Sequence, residues 1–289
     1  MPPPSEARVI TPHLLRDWPL PDPDGDKEAR GTVLVVGGSR TTPGAVLLAG
    51  TAALRAGAGR LQLATTDDNA QALSIAVPEA KVVGLPSTAN GAVDGDVPDH
   101  LLELARSADV VAIGPGLDDD EQTATLLRQV IGAMAGDARL VVDAYALGAL
   151  GEHPDLLGEH ASRSVLTPNV GEAGRLLGRE PGDDLDAEAA AVAERFGAVV
   201  SLYGHVGQPG GGAWRDENAD VGLGTSGSGD VLAGIMAGLL ARGADPAQAA
   251  CWGTYVHAMA GQRLVTRMGR TGYLARELVD EVAATIAMV

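Results

Sequence analysis

Residues 224–230 read Gly-Thr-Ser-Gly-Ser-Gly-Asp, and an apolar run from Val231 to Leu240 follows directly. Glycines let the backbone turn tightly and bring N–H groups close to a ligand. A helix beginning there adds its own unpaired N–H groups and the positive end of its dipole. Together these make a cradle for an anion such as phosphate. Asp230 stands at the mouth of the cradle, where a carboxylate can take the proton of a hydroxyl attacking phosphorus. The same residues also describe an Asp N-cap behind a flexible loop, and the local pattern alone does not separate the two readings.

Other residues could join such a site. Asn169 and Glu172, three apart where a strand gives way to a helix, could orient a phosphate or a metal-bound water. They also fit a capping box, the commoner use of this pattern. Asp143 follows the apolar run Leu140 to Val142 and reads either as a site carboxylate at a strand end or as the cap of a short helix. His205 and His257 have no metal-ligand spacing and read as structural or surface residues. Lys27 and Lys81 are the only lysines, and neither lies in a phosphate-binding motif. Charge on a nucleotide must then be met by backbone N–H groups, Arg or a metal. Gly37-Gly38-Ser39 follows a strand, but neither G-x-G-x-x-G spacing nor a Gly-Lys-Ser/Thr motif is present, which argues against a dinucleotide-binding oxidoreductase and a P-loop enzyme.

The elements that must position these residues alternate between strand and helix. Strands are expected over 32–36, 60–64, 110–113, 140–142, 165–166 and 198–202, from β-branched or apolar runs bounded by Gly, Asp or Pro. Helices are expected over 42–56, with Pro43 in the first turn, and over 101–106, 123–134, 187–196, 230–241, 246–264 and 274–287. Residues 1–30, with Pro and Asp clustered over 19–26, read as an irregular segment, and 31–289 as a single domain. The β-α-β order predicts an α/β fold with a mainly parallel sheet and helices on both faces. In such sheets the ligand crevice lies at the carboxyl ends of the strands. The glycine-rich stretch 208–218 reads as a hairpin or a mobile flap.

Composition sets the remaining limits. A chain of 289 residues that is 45% hydrophobic can bury a large core, and with 3% aromatics that core must be built from Ala, Val and Leu. The net charge of −17 argues against nucleic acid or an anionic membrane surface as a partner. Cys251 is the single cysteine, so no internal disulfide can form, and its Ala-rich surroundings suggest a buried thiol. Neither a secretory signal nor a run long enough to span a bilayer is visible, and a cytoplasmic location is expected. Ala-rich helices with small residues could support a homo-oligomer.

Taken in order, the motifs form a resemblance. Val33 to Ser39, Gly44-Ala45, Ala53 to Gly59, Pro78-Glu79, Ile113 to Leu117, Val142 to Ala144, Leu166 to Pro168, Gly171-Glu172 and Gly227 to Gly234 together resemble the ADP/ATP-dependent NAD(P)H-hydrate dehydratases of the ribokinase-like superfamily. The resemblance implies repair of a damaged nicotinamide cofactor. ADP or ATP would drive water out of the S form of NADH or NADPH hydrate, through phosphoryl transfer to the ring hydroxyl and loss of phosphate. It places the hydrate on Ala45, Gly116, Asn169 and Asp230, with Asp230 as catalytic base. It places the adenine nucleotide on Tyr203, Gly204, His205, Val206, Gly207, Thr225, Gly227, Ser228 and Gly229. Mg²⁺ would bridge phosphate oxygens, with Glu172 as its protein ligand. The 30 residues ahead of the domain are too few for an N-terminal epimerase domain.

Two positions depart from the family pattern. Asn169 stands where the family usually has His, and Tyr203 where it usually has Lys. A neutral phenol cannot supply the cation's attraction for phosphate, so altered nucleotide use is expected. The alternatives left open are a ribokinase-like kinase for a sugar or vitamin precursor, and a non-catalytic nucleotide-binding protein.

Overall fold

Val33, Leu34, Val35 and Val36 are all fully buried, alternately against two different apolar layers. A strand covered on both faces reads as a continuous apolar run, which is why the segment was legible in the sequence. The computed structural model describes residues 7–22, 26–219 and 221–289. The irregular chain expected over residues 1–6 and 23–25 lies outside the described residues.

In chain order the strands are β1 (Arg8–Val9), β2 (Thr32–Val36), β3 (Arg60–Thr66), β4 (Ala80–Leu85), β5 (Val110–Ile113), β6 (Arg139–Asp143), β7 (Ser164–Thr167), β8 (Val199–Leu202), β9 (His205–Gln208) and β10 (Gly212–Arg215). The helices are α1 (Pro12–Asp17), α2 (Pro43–Ala56), α3 (Asp67–Ala76), α4 (Asp99–Ser107), α5 (Asp120–Ala133), α6 (Tyr145–Glu152), α7 (Val170–Leu177), α8 (Leu185–Phe196), α9 (Ser228–Ala241), α10 (Pro246–Met268) and α11 (Ala275–Ile286). Short 3₁₀ segments cover Pro154–Arg163 and Val221–Gly224.

The strands form one sheet in the order β1-β10-β9-β8-β7-β6-β5-β2-β3-β4. From β4 across to β8 every pairing is parallel. The β8–β9 and β9–β10 pairs are antiparallel, so residues 208–218 carry the hairpin of the two expected alternatives. The mainly parallel α/β expectation therefore holds. α2, α9, α10 and α11 cover one face, and α4 to α8 cover the other.

The segment ahead of β2 is more regular than its Pro and Asp content suggested. β1 pairs with β10, and α1 is capped by the Thr11 side chain. The carbonyl of Trp18 accepts from Trp252 Nε1 at 2.9 Å and from Gln248 Nε2 at 3.1 Å, tying this segment to α10. These are long-range contacts that no local pattern announces. Cys251 is buried, as expected, and burial pushes its thiol pKa up. The small-residue faces of α2 and α9 are taken up by each other: a methyl on Gly234 would lie 2.1 Å from the Ala49 carbonyl oxygen. Among the described residues no helix is long and apolar enough to cross a membrane.

Candidate active site

The strand order reverses direction between β2 and β5, so the loops leaving these two strands diverge and open a crevice. Their glycines let them touch at its base. Gly38 N–H donates to the Pro115 carbonyl at 2.7 Å, and a Cβ on Gly37 would lie 2.1 Å from that same oxygen. Gly116 has φ +73°, and a side chain there would meet the Ala45 methyl at 2.8 Å. Ala45 and Gly116, 71 positions apart in the chain (116 − 45), are thus neighbours in the crevice. Thr42 Oγ1 donates to the Gly116 carbonyl at 2.6 Å and meets Ser39 Oγ at 2.7 Å, which clasps the two loops together.

The next strand ends bring carboxylates to the same edge. Asp143 and Thr167 end β6 and β7 in register. Asp143 is only 4% exposed and accepts a hydrogen bond from Thr167 Oγ1 at 2.5 Å. Burial raises its pKa to about 7; the Thr167 bond opposes this, and the Asp230 and Glu172 charges add to it. The following residue, Ala144, has φ 43° and ψ −113°, an unfavourable conformation for a residue with a Cβ. Its N–H lies against the Asp143 carboxylate. Asp143 is not the cap of the short helix α6, whose N-cap is Ala144 with no side-chain hydrogen bond.

Asp230 lies in the first turn of α9. Gly227, at φ 87°, caps this helix without any side-chain hydrogen bond. Ser228 N–H donates to the Thr225 carbonyl and Val231 N–H to the Gly227 carbonyl. The N–H groups of Gly229 and Asp230 have no acceptor among the described residues, as expected for the open end of a helix. Asp230 is half-buried, and burial raises its carboxyl to about 6, with no hydrogen-bond partner among the described residues to oppose the rise. A desolvated carboxylate beside free N–H groups can accept a proton next to a bound phosphate.

Asn169 and Glu172 form the capping box. Asn169 Oδ1 accepts from Glu172 N–H at 2.9 Å, and Glu172 Oε2 accepts from Asn169 N–H at 2.8 Å. One oxygen of each side chain is therefore engaged in starting α7. Among the described residues no group of three His, Cys, Asp or Glu side chains forms a protein-only metal cage. Mg²⁺ held largely by phosphate oxygens needs only one or two carboxylates. Repulsion of the Asp143 carboxylate by Asp230 and Glu172 marks a field that a cation would relieve, so these residues fit Mg²⁺.

A family model described as NAD(P)H-hydrate dehydratase matches residues 33–284. The chain belongs to the NAD(P)H-hydrate dehydratase family. A relative from Xanthomonas campestris pv. campestris, named ADP-dependent (S)-NAD(P)H-hydrate dehydratase, is 46% identical over 287 residues, covering 96% of this chain and 95% of its own. The bifunctional NAD(P)H-hydrate repair enzyme Nnr of Moorella thermoacetica is 39% identical over 281 residues; the match covers 94% of this chain but 52% of that enzyme, so this chain spans about half its length. The solved structure of the ADP/ATP-dependent NAD(P)H-hydrate dehydratase from Bacillus subtilis, co-crystallised with ATP/Mg²⁺, superposes with TM-score 0.80 at 26% identity, covering 98% of this chain and 99% of that one. The fold is ribokinase-like.

Within this dehydratase fold the expected nucleotide residues divide. Tyr203 and Gly204 are the two central residues of the β8–β9 hairpin, with φ 52° and 93°. Positive φ at both places identifies a type I′ turn. The turn lies at the carboxyl end of β8, and the Tyr203 side chain is 69% exposed. The side chains that follow make contacts within the protein. His205 Nδ1 pairs with Asp186 at 2.6 Å. Val206 is 1% exposed in the core, and a Cβ on Gly207 would lie 2.6 Å from the Ala189 backbone of α8. The Ser228 hydroxyl meets His257 Nε2 at 2.8 Å. Val206 and Gly207 have only backbone groups to offer a nucleotide. His257 was read as structural or surface, and it is buried, its imidazole pushed down to about 4 by burial. Nothing local signals its contact with Ser228, because the two are 29 residues apart.

Proposed function

We propose that this chain catalyses the ADP- or ATP-dependent dehydration of the S form of NADH or NADPH hydrate, returning the reduced cofactor. The observation that carries the reading is the Asp230 carboxylate and the N–H groups of Gly229 and Asp230, side by side and without a hydrogen-bond partner among the described residues, in a chain of this family. Asp230 takes the proton of the ring hydroxyl as its oxygen attacks the terminal phosphorus, and the bond from that phosphorus to the bridging oxygen breaks, releasing AMP from ADP or ADP from ATP. The N–H groups of Gly229 and Asp230 receive charge on the transferring phosphoryl group. The ring-nitrogen lone pair then expels the oxygen within inorganic phosphate as the carbon–oxygen bond breaks, and the neighbouring carbon gives its proton to the departing phosphate or water to restore the double bond.

Ala45 and Gly116 provide a side-chain-poor wall against which the hydrate ring would lie. Asn169 keeps its side-chain N–H₂ for the hydrate, because its oxygen caps α7. Mg²⁺, when bound, neutralises phosphate charge, and Glu172 and Asp143 would face it. Tyr203 supplies an exposed ring that can stack on adenine where a cation is missing. The name of the Xanthomonas relative favours ADP over ATP.

The experiment follows reduced-nicotinamide absorbance after purified protein and Mg²⁺ are added to NADH hydrate with ADP or with ATP. Recovery that needs nucleotide and disappears in Asp230→Asn is the expected result. A stable phosphate ester without NADH would identify a small-molecule kinase instead. Nucleotide binding without turnover would identify a non-catalytic protein.

A further inference from the structure

The Ser228–His257 contact joins the first turn of α9 to the middle of α10. Ser228 is 4% exposed and His257 8%, and 2.8 Å separates Ser228 Oγ from His257 Nε2. A serine at a helix start has another use for its hydroxyl, since it can accept from first-turn N–H groups and close the helix end. The N-cap of α9 is Gly227, which has no side chain to close that end, and the Ser228 hydroxyl next to it is engaged by the imidazole. His257 is itself firmly placed. α10 is 23 residues long and buried along most of its length, and one turn earlier Thr254 Oγ1 meets Ser201 Oγ of β8 at 2.9 Å.

We propose that His257 is a positioning residue for phosphoryl transfer: by holding Ser228 it keeps the first turn of α9 open to phosphoryl oxygens and fixes Asp230, two residues on, toward the reacting hydroxyl. His257 touches no reactant. The proposal rests on the dehydratase reading of the α9 N-terminus. A bond that served only to stabilise the fold would leave kcat unchanged in every variant that stays folded.

The test compares Ser228→Ala, His257→Ala, the double variant, His257→Gln and His257→Asn by steady-state NADH recovery, with thermal unfolding measured for each. Ser228→Ala removes one oxygen and leaves the core intact. It is expected to lower kcat about tenfold or more with little change in either KM, because small misplacements at a reacting centre are costly. The double variant should be no slower than the slower single variant, because the pair acts as a unit. His257→Gln, whose amide can reach the Nε2 position, should regain most of kcat, whereas His257→Asn, which reaches only the Nδ1 position, should not. Wild-type kcat in Ser228→Ala, losses that multiply in the double variant, or losses that follow melting temperature alone would overturn the proposal. Wild-type protein that recovers no NADH would overturn the dehydratase reading and this proposal together.

Discussion

Thr167 donates its hydroxyl to Asp143 from the neighbouring strand, at 2.5 Å, yet the Asp143 pKa is still raised to about 7 because burial and two nearby carboxylates outweigh that bond. The folded protein therefore holds this proton between the unfolded value of 3.8 and about 7. Folding takes up a proton in that window, so this group's contribution to stability is present below the unfolded pKa and is lost as pH rises through the folded pKa. In Mg²⁺-free buffer, Asp143→Asn should remove that loss and be the more stable form at pH 8, by on the order of 3 kcal/mol. Urea unfolding of both proteins at pH 5 and pH 8 checks the sign. A variant that loses the same stability at both pH values would assign the effect to packing.

Asp230 must be ionised to act as a base, and burial raises its pKa to about 6. For the wild type, kcat/KM should rise about tenfold per pH unit below this value and level off above it. Asp230→Asn should lower kcat by roughly 10²–10⁴-fold while nucleotide binding persists. A pH–rate profile of NADH recovery, with calorimetric nucleotide binding by the variant, measures both.

Gly234 and Ala49 bring α9 and α2 into backbone contact, and a methyl on Gly234 would lie 2.1 Å from a carbonyl oxygen that has no rotamer by which to yield. Gly234→Ala should destabilise the fold by about 1–3 kcal/mol despite the better helix propensity of Ala. The midpoint of chemical unfolding reports it. An unchanged midpoint would mean that the two helices separate at little cost.

Tyr203 occupies a positive-φ turn position that suits Asn or Gly better, and its ring is exposed at the carboxyl edge of the sheet. Tyr203→Asn should therefore leave stability equal or slightly higher. If the ring stacks on adenine, the same change should raise the KM for nucleotide about three- to tenfold without a matching loss in kcat. An unchanged nucleotide KM would remove Tyr203 from the binding site.

The sequence by itself determined the parallel heart of this protein. Val33 to Val36 and Val110 to Ile113 are buried on both faces, so they remain apolar throughout and end in glycines where the chain must turn. It also determined Gly227, Asp230 and the Asn169–Glu172 box, because helix starts are written in adjacent residues. The edge strand β4 and the short helices α3 and α6 escaped the reading because their apolar signal is weak or brief. The tertiary structure alone decided which side chains meet. Asp143 faces Asp230 because β6 lies beneath α9. His257 reaches Ser228 because α10 packs on α9. His205 turns to Asp186 because the β8–β9 hairpin folds over α8. Burial raises the Asp143 and Asp230 carboxyls and lowers the His257 imidazole, and burial is a property of the assembled layers that no stretch of sequence carries alone.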